Sequence, residues 1–246
     1  MKRALVTGAA TGLGREIALA LGHDGWEVAI ADIDLDGLDA VRGDVAFAGR
    51  TALAVDLDLR LEDSIAAGLK ATLAGLGGLD LLVNNAGRAL HRPAVETTWR
   101  EWDEVIDVNL KGAYFLSAAF ARHRLAQGGG GAIVSLASTH GLTGLADRSV
   151  YGISKGGIVQ MTRMLAIEWA PTGIRVNAIA PATVMTPSRE ALLADPAARQ
   201  RMLARIPAGR FPTADEVAGA VLYLASPAAA SVTGHTLLLD GGLTAQ

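Results

Sequence analysis

Short apolar runs recur along the chain, each followed by a longer segment with helical spacing. The runs fall at 3–7, 27–31, 52–56, 79–83, 132–136, 175–179 and 236–239. They are rich in leucine, valine, isoleucine and alanine without polar alternation, as expected of strands buried on both faces. Helical spacing occupies 13–21, 35–41, 62–76, 98–126, 150–170, 189–205 and 213–225. A strand followed by a helix before the next strand needs a crossover. The alternation therefore predicts an α/β fold, a parallel sheet with helices on both faces. Thr98 with Glu101 and Thr213 with Glu216 have the spacing of capping boxes at two helix starts.

Composition agrees with that class. Of 246 residues 50% are hydrophobic, enough for a large core, and the length suits one α/β domain covering 1–246. No internal repeat or interdomain linker interrupts it. The least regular stretch, about 181–212, carries Pro181, Pro187, Pro196, Pro207 and Pro212. An excursion after a late strand lies over the ligand crevice of such a sheet, so it reads as a substrate-covering segment. Formal charge is −3, with no basic run, which argues against a general nucleic-acid surface. The absence of cysteine excludes disulfides and thiolate metal or redox chemistry. No apolar run is long enough for a signal-peptide core or a membrane span, so a cytoplasmic protein is expected.

The 29 glycines are unevenly placed. Gly8, Gly12 and Gly14 follow the first strand run and open the first helix, with Thr11 and Leu13 between them. Gly8 permits a tight turn, Gly12 lets backbone approach a pyrophosphate, and Gly14 lets the helix pack closely. The helix N-terminus then offers N–H groups to the phosphates. The loop lacks the Lys-Ser/Thr ending of a nucleoside triphosphate loop. Asp32 ends the second strand run, where a carboxylate accepts hydrogen bonds from ribose hydroxyls and repels a 2′-phosphate. Arg15, nearby, begins the helix and reads as a solvated residue. The preference is NAD over NADP. Asp32, Asp34, Asp36 and Gly37 imitate the start of a calcium loop, but Gly43 stands where its bidentate Glu belongs, and no metal site is expected.

Tyr151 and Lys155 stand four apart on one predicted helix face. An ammonium near a phenol favours the phenolate, so this tyrosine suits proton exchange with an alcohol or carbonyl oxygen. Ser138 lies just past the fifth strand run, Asn84-Asn85-Ala86-Gly87 follows the fourth, and Asn109 sits within 98–126. In an open α/β sheet these are positions at the carboxyl ends of strands, where ligands bind.

With these motifs, Pro181 to Thr186 and the Asp240-Gly241-Gly242 ending, the chain resembles the short-chain dehydrogenase/reductase family along its whole length. The resemblance implies a seven-stranded parallel sheet in the order 3-2-1-4-5-6-7. It also implies a homotetramer paired through the helices starting near Thr98 and Val150. Tyr151 then resembles the general acid/base and Lys155 the residue that lowers its pKa and bonds the nicotinamide ribose. Ser138 resembles the residue polarising the substrate oxygen, and Asn109 the holder of a relay water. Asp56 resembles the adenine contact, beside Leu57. Asn85, Ala86 and Gly87 resemble the residues along the cofactor ribose. Pro181 and Val184 fall at the nicotinamide side, and Thr186 resembles the carboxamide contact. Ala182 stands where the family often has glycine, which adds a methyl group to the pocket.

The implied reaction is hydride transfer between NAD(H) and a secondary alcohol or ketone. Arg88, His91, His140, Arg148 and Arg189 fall in the regions the resemblance gives to the substrate pocket. Such groups suit a sugar, polyol or hydroxy acid, with a 3-oxoacyl thioester next. Two rivals have defined signatures. Gly152-Ile-Ser154-Lys-Gly156 imitates a hydrolase elbow, with Asp215 and His235 later in the chain. That elbow needs a buried strand before Ser154, and the preceding residues are polar; the dehydrogenase reading makes Ser154→Ala nearly silent. A silent NAD-binding sensor or scaffold would be expected to lack Tyr151, Lys155 or Ser138.

Overall fold

Leu5, Ile30, Leu82, Ile133 and Val176 have no solvent exposure, which requires cover on both sides of the strands that carry them. In the computed structural model, which describes residues 2–47, 52–185 and 195–245, these residues belong to one seven-stranded sheet. The strands are β1 (Arg3–Thr7), β2 (Glu27–Asp32), β3 (Ala52–Asp56), β4 (Leu81–Asn84), β5 (Gly131–Leu136), β6 (Ile174–Pro181) and β7 (Thr236–Leu239). All neighbours are parallel, and the order is β3-β2-β1-β4-β5-β6-β7. The predicted fold class and strand order are both observed.

The helices are α1 (Gly12–His23), α2 (Leu35–Phe47), α3 (Glu62–Leu76), α4 (Trp99–Ile106), α5 (Ala113–Ala126), α6 (Ser149–Trp169), α7 (Pro196–Leu203) and α8 (Ala214–Ala225). Successive strand residues point to opposite faces, and two cores result. Leu5, Leu82 and Ile133 pack with Leu69, Phe120 and Ile158 of α3, α5 and α6. Val6, Val83 and Val134 pack with Ile17, Leu38 and Val221 of α1, α2 and α8. The chain leaves β1 for β2 and β3 on one side, then returns to β4 on the other. The crevice beyond the carboxyl ends of β1 and β4 is thus the switch point where such sheets bind ligands.

Both capping boxes form: Thr98 and Glu101 cap α4, Thr213 and Glu216 cap α8. The helix expected over 98–126 is instead three pieces, because a π-helical turn, Asp107–Gly112, separates α4 from α5. There the backbone of Gly112 comes so close to Leu59 that a Cβ would lie 2.3 Å from the Leu59 oxygen. Of the helix expected over 189–205, residues 189–194 lie outside the described residues, and α7 begins at Pro196, whose fixed φ suits a first helical position. No helix among the described residues is long and apolar enough to cross a membrane.

Candidate active site

The glycine loop is shaped by what it must avoid. Gly8 has φ +65°, and a Cβ there would meet the Ala86 Cα at 2.7 Å; one on Gly14 would lie 2.0 Å from the Gly8 oxygen. Loop, α1 and the segment after β4 can therefore meet only with glycine at both positions. Thr11 is the N-cap of α1 but its side chain caps nothing, so first-turn N–H groups stay available to an anion. Thr7 Oγ1 accepts from the N–H groups of Asn85 (3.1 Å) and Ala86 (3.2 Å). The Asn85 side chain returns the contact, donating to the carbonyls of Thr7 (2.9 Å) and Gly8 (3.0 Å). Asn84 lies deeper and donates to Ser117 and Ser135.

Asp32 ends β2 at the mouth of this cradle. Its carboxylate accepts from the N–H of Ala10 (3.1 Å), Ile33 (2.8 Å) and Asp34 (3.2 Å). Arg15 turns away, paired with Glu16 (2.6 Å) and Asp44 (2.8 Å). Asp34 accepts from the Gly37 N–H at the start of α2, so the acidic run has backbone work in this turn. Leu57 and Asp58 line the cleft, whereas Asp56 is exposed and is not among its walls.

Across the switch point, Ser138 follows β5 with extended backbone and caps the short turn Thr139–Gly141. Its Oγ accepts from the His140 N–H at 3.2 Å, which leaves the hydroxyl proton for a ligand oxygen. Lys155 is buried in α6 and donates to the Leu136 carbonyl at 2.6 Å. Its Nζ lies 5.9 Å from the Tyr151 ring centroid. Burial pushes the amine down from 10.5 to about 8, so it is mostly charged at neutral pH and favours the phenolate of its neighbour. The His140 ring stands edge-on to Tyr151 at 6.2 Å.

Asn109 sits on the π turn, and its amide is largely committed. Oδ1 accepts from the Arg88 N–H (2.7 Å), and Nδ2 donates to the Arg88 carbonyl (2.9 Å) and to Ser154 Oγ (3.0 Å). Ser154 has no exposure and donates to the Tyr151 carbonyl at 2.7 Å. It is a buried link inside a helix, not the exposed serine of a hydrolase elbow.

One cleft of about 720 Å³ joins the two halves. Gly8, Thr11, Gly12, Leu13, Asp32 and Leu57 line one end; Asn85, Ala86 and Gly87 the middle; Ser138, Tyr151, Lys155, Pro181, Ala182 and Val184 the other. Arg88, His91, His140 and Arg148 also face it, as do Met202, Ile206 and Phe211 from the expected covering segment. Gly14 and Asn109 support the walls without lining them. Thr186 and Arg189 lie outside the described residues.

Several residues have roles in this arrangement beyond those the motifs gave them. Thr7 gathers two N–H groups after β4. Ser154 ties the π turn to α6; its place between Tyr151 and Lys155 was a usable signal. Gly141 permits contact with α6, since a Cβ would lie 2.7 Å from the Lys155 carbonyl. Gly152 and Gly156 face the same turn, so their small size serves contact within the subunit. Arg205 faces the cleft from beyond α7, which its sequence position alone does not disclose.

The family model described as enoyl-(acyl carrier protein) reductase matches residues 8–244. The chain is 39% identical to 2-dehydro-3-deoxy-D-gluconate 5-dehydrogenase of Escherichia coli over 100% of its length and 96% of the relative's. It is 37% identical to D-threitol dehydrogenase of Mycolicibacterium smegmatis over 99% of its length and 93% of the relative's. Among solved structures, the NADH complex of 3-ketoacyl-(acyl-carrier-protein) reductase from Brucella melitensis superposes with a TM-score of 0.90 at 35% identity, covering 99% of this chain and 98% of that one. A structure from Agrobacterium tumefaciens with bound NADP gives 0.91 at 41% identity, covering 100% and 97%. With the glycine cradle and the Ser138, Tyr151 and Lys155 group on one cleft, these likenesses agree: the chain belongs to the short-chain dehydrogenase/reductase family.

Proposed function

We propose that the chain is an oxidoreductase that moves a hydride reversibly between NAD(H) and a secondary alcohol or ketone of a sugar, polyol or hydroxy acid. One observation carries the reading: a backbone cradle for phosphates and a serine–tyrosine–lysine group open onto the same cleft. The E. coli and M. smegmatis relatives bear the names of a sugar-acid and a polyol dehydrogenase. The B. melitensis relative supports 3-oxoacyl thioesters as the second substrate class.

The residues fit a dinucleotide. Gly8, Gly12 and the α1 N-terminus give backbone room and N–H donors for the pyrophosphate, and NAD when bound supplies the hydride acceptor. Tyr151 takes the alcohol proton as the C–H bond is broken and returns it in the reverse direction. Ser138 donates to the same oxygen, and Lys155 holds Tyr151 toward the phenolate; its remaining N–H groups would bond the nicotinamide ribose when NAD is bound. Asn109 keeps its spare Oδ1 lone pair and the carbonyls of the widened turn for a relay water. Leu57 on the cleft wall would take the adenine end, with Asp56 just outside it, and Val184 the nicotinamide end; the carboxamide role expected of Thr186 falls outside the described residues. The single domain 1–246 works with 181–212 as its substrate cover, supported by Met202, Ile206 and Phe211 on the cleft wall. A cytoplasmic homotetramer is its working form.

Asp32 supports NAD over NADP: its carboxylate stands at the ribose end, and Arg15 is held by Glu16 and Asp44. Fluorescence titration with NADH and NADPH tests this. NADH is expected to bind at least about tenfold tighter, the effect of one repulsive charge contact of about 1.4 kcal/mol. Asp32→Ala is expected to narrow the gap. Tighter NADPH binding by the parent protein refutes the preference.

A further inference from the structure

Lys155 and Asn109 are almost without exposure, at 5% and 1%, yet both keep hydrogen-bonding capacity. The Leu136 carbonyl takes one of the three Nζ donors, at 2.6 Å. Asn109 Oδ1 accepts from the Arg88 N–H at 2.7 Å and has a second lone pair. Gly87 stands between these buried atoms and the open cleft. It is exposed and lines the cleft wall. A Cβ built on it would lie 3.3 Å from Asn109 Oδ1 and 3.5 Å from Lys155 Nζ, so the spot is flanked by an acceptor and a donor. Folding does not demand glycine there. Its φ is not in the left-handed region, and beyond its chain neighbours no heavy atom among the described residues comes nearer than 3.3 Å to that Cβ position. The contacts of 2.7 Å at Gly8 and 2.0 Å at Gly14 are of another kind.

A water needs polar partners within hydrogen-bond reach, and a methyl group in contact with both of these atoms would take its place. We propose that Gly87 is a positioning residue for proton release: having no side chain, it leaves room for a water that bonds Lys155 Nζ and Asn109 Oδ1 together and hands protons to the cleft. The proposal rests on the dehydrogenase reading above. Oxidation breaks the C–H and O–H bonds of the alcohol; the hydride goes to NAD and the proton to Tyr151. Tyr151 must lose that proton before the next turnover. The Lys155 ammonium gives a proton to the water as it regains one from the Tyr151 side, and the water passes one to solvent. Each group then ends with the charge it started with.

Gly87→Ala tests this by single-turnover stopped flow on the best substrate of an alcohol panel, with NADH absorbance and a pH indicator followed together. In the parent, proton release should keep pace with NADH formation. In the variant it should lag, and kcat at pH 7 should fall about tenfold or more. NADH affinity, titrated separately, should stay within about threefold. The solvent deuterium isotope effect should grow, and a small mobile proton carrier such as imidazole should restore part of the rate; a merely structural change moves neither. Proton release that keeps pace in the variant, whatever its rate, overturns the proposal and leaves the dehydrogenase reading standing. Weaker NADH binding at unchanged kcat does the same, since the methyl group then obstructs the cofactor and not the water. Failure of the variant to fold also overturns it, because the contacts on which it stands leave room for the methyl group. A parent protein that binds NADH yet turns over no alcohol or ketone overturns both.

Discussion

Lys155 bears a cost that its position explains. It is buried and bonded to the Leu136 carbonyl, with its amine pushed down to about 8 from 10.5 by burial. Below pH 8 both folded and unfolded chains hold the proton, and the folded state carries the full desolvation cost. Between pH 8 and 10.5 the folded chain releases the proton first, so the unfolded state binds more protons and stability rises with pH. Lys155→Met removes the group. Denaturant unfolding of the cofactor-free proteins should therefore show the stability difference between parent and variant moving in the parent's favour from pH 7 to 10. The expected shift is on the order of 2 kcal/mol. A difference that stays flat would mean that the amine is not desolvated. Ser138 and Tyr151 were legible at this scale because proton chemistry demands their residue types. Asn109 was legible only as a candidate; its commitment to the Arg88 backbone and Ser154 depends on contacts 21 and 45 positions away in the chain.

At the scale of elements, α6 is fixed to its neighbours through small or polar residues. Ser154 joins it to the π turn, and Gly141 with Gly152 lets the turn after Ser138 rest on it. Sequence pattern alone makes Ser154→Ala nearly silent; the observed bonds predict otherwise. Removing the hydroxyl leaves Asn109 Nδ2 with one partner and loosens the Tyr151 turn. We expect kcat to fall about tenfold, in keeping with ~1–3 kcal/mol for an unsatisfied buried group, with NADH affinity nearly unchanged. Steady-state kinetics with parallel NADH titration checks this, and Ser154→Thr should recover part of the rate. The strands and capped helices were readable in the sequence because continuous apolar runs and Thr-x-x-Glu spacing are local signals. The π turn was not. It inserts no distinctive residue, and its cause is tertiary, the approach of Gly112 to Leu59 together with the pull of Arg88 and Ser154 on Asn109.

For the whole molecule, part of the exposed apolar surface lies on the helices expected to pair subunits. Trp99 is 88% exposed, Ile167 80% and Met164 61%, with Phe115 and Ile153 also exposed. Large apolar side chains grouped on neighbouring helices point to an association surface. Light scattering after size exclusion should find a tetramer for the parent chain and smaller species for Ile167→Arg; a monomeric parent would contradict the assembly.

The central claim is that Tyr151 exchanges the proton while hydride moves to or from the nicotinamide. Tyr151→Phe removes one oxygen and keeps the ring. On the best substrate of an alcohol panel, kcat for NADH formation should fall by ~10²–10⁴-fold, while NADH affinity stays within about threefold. Turnover within about threefold of the parent, with binding intact, would contradict the account.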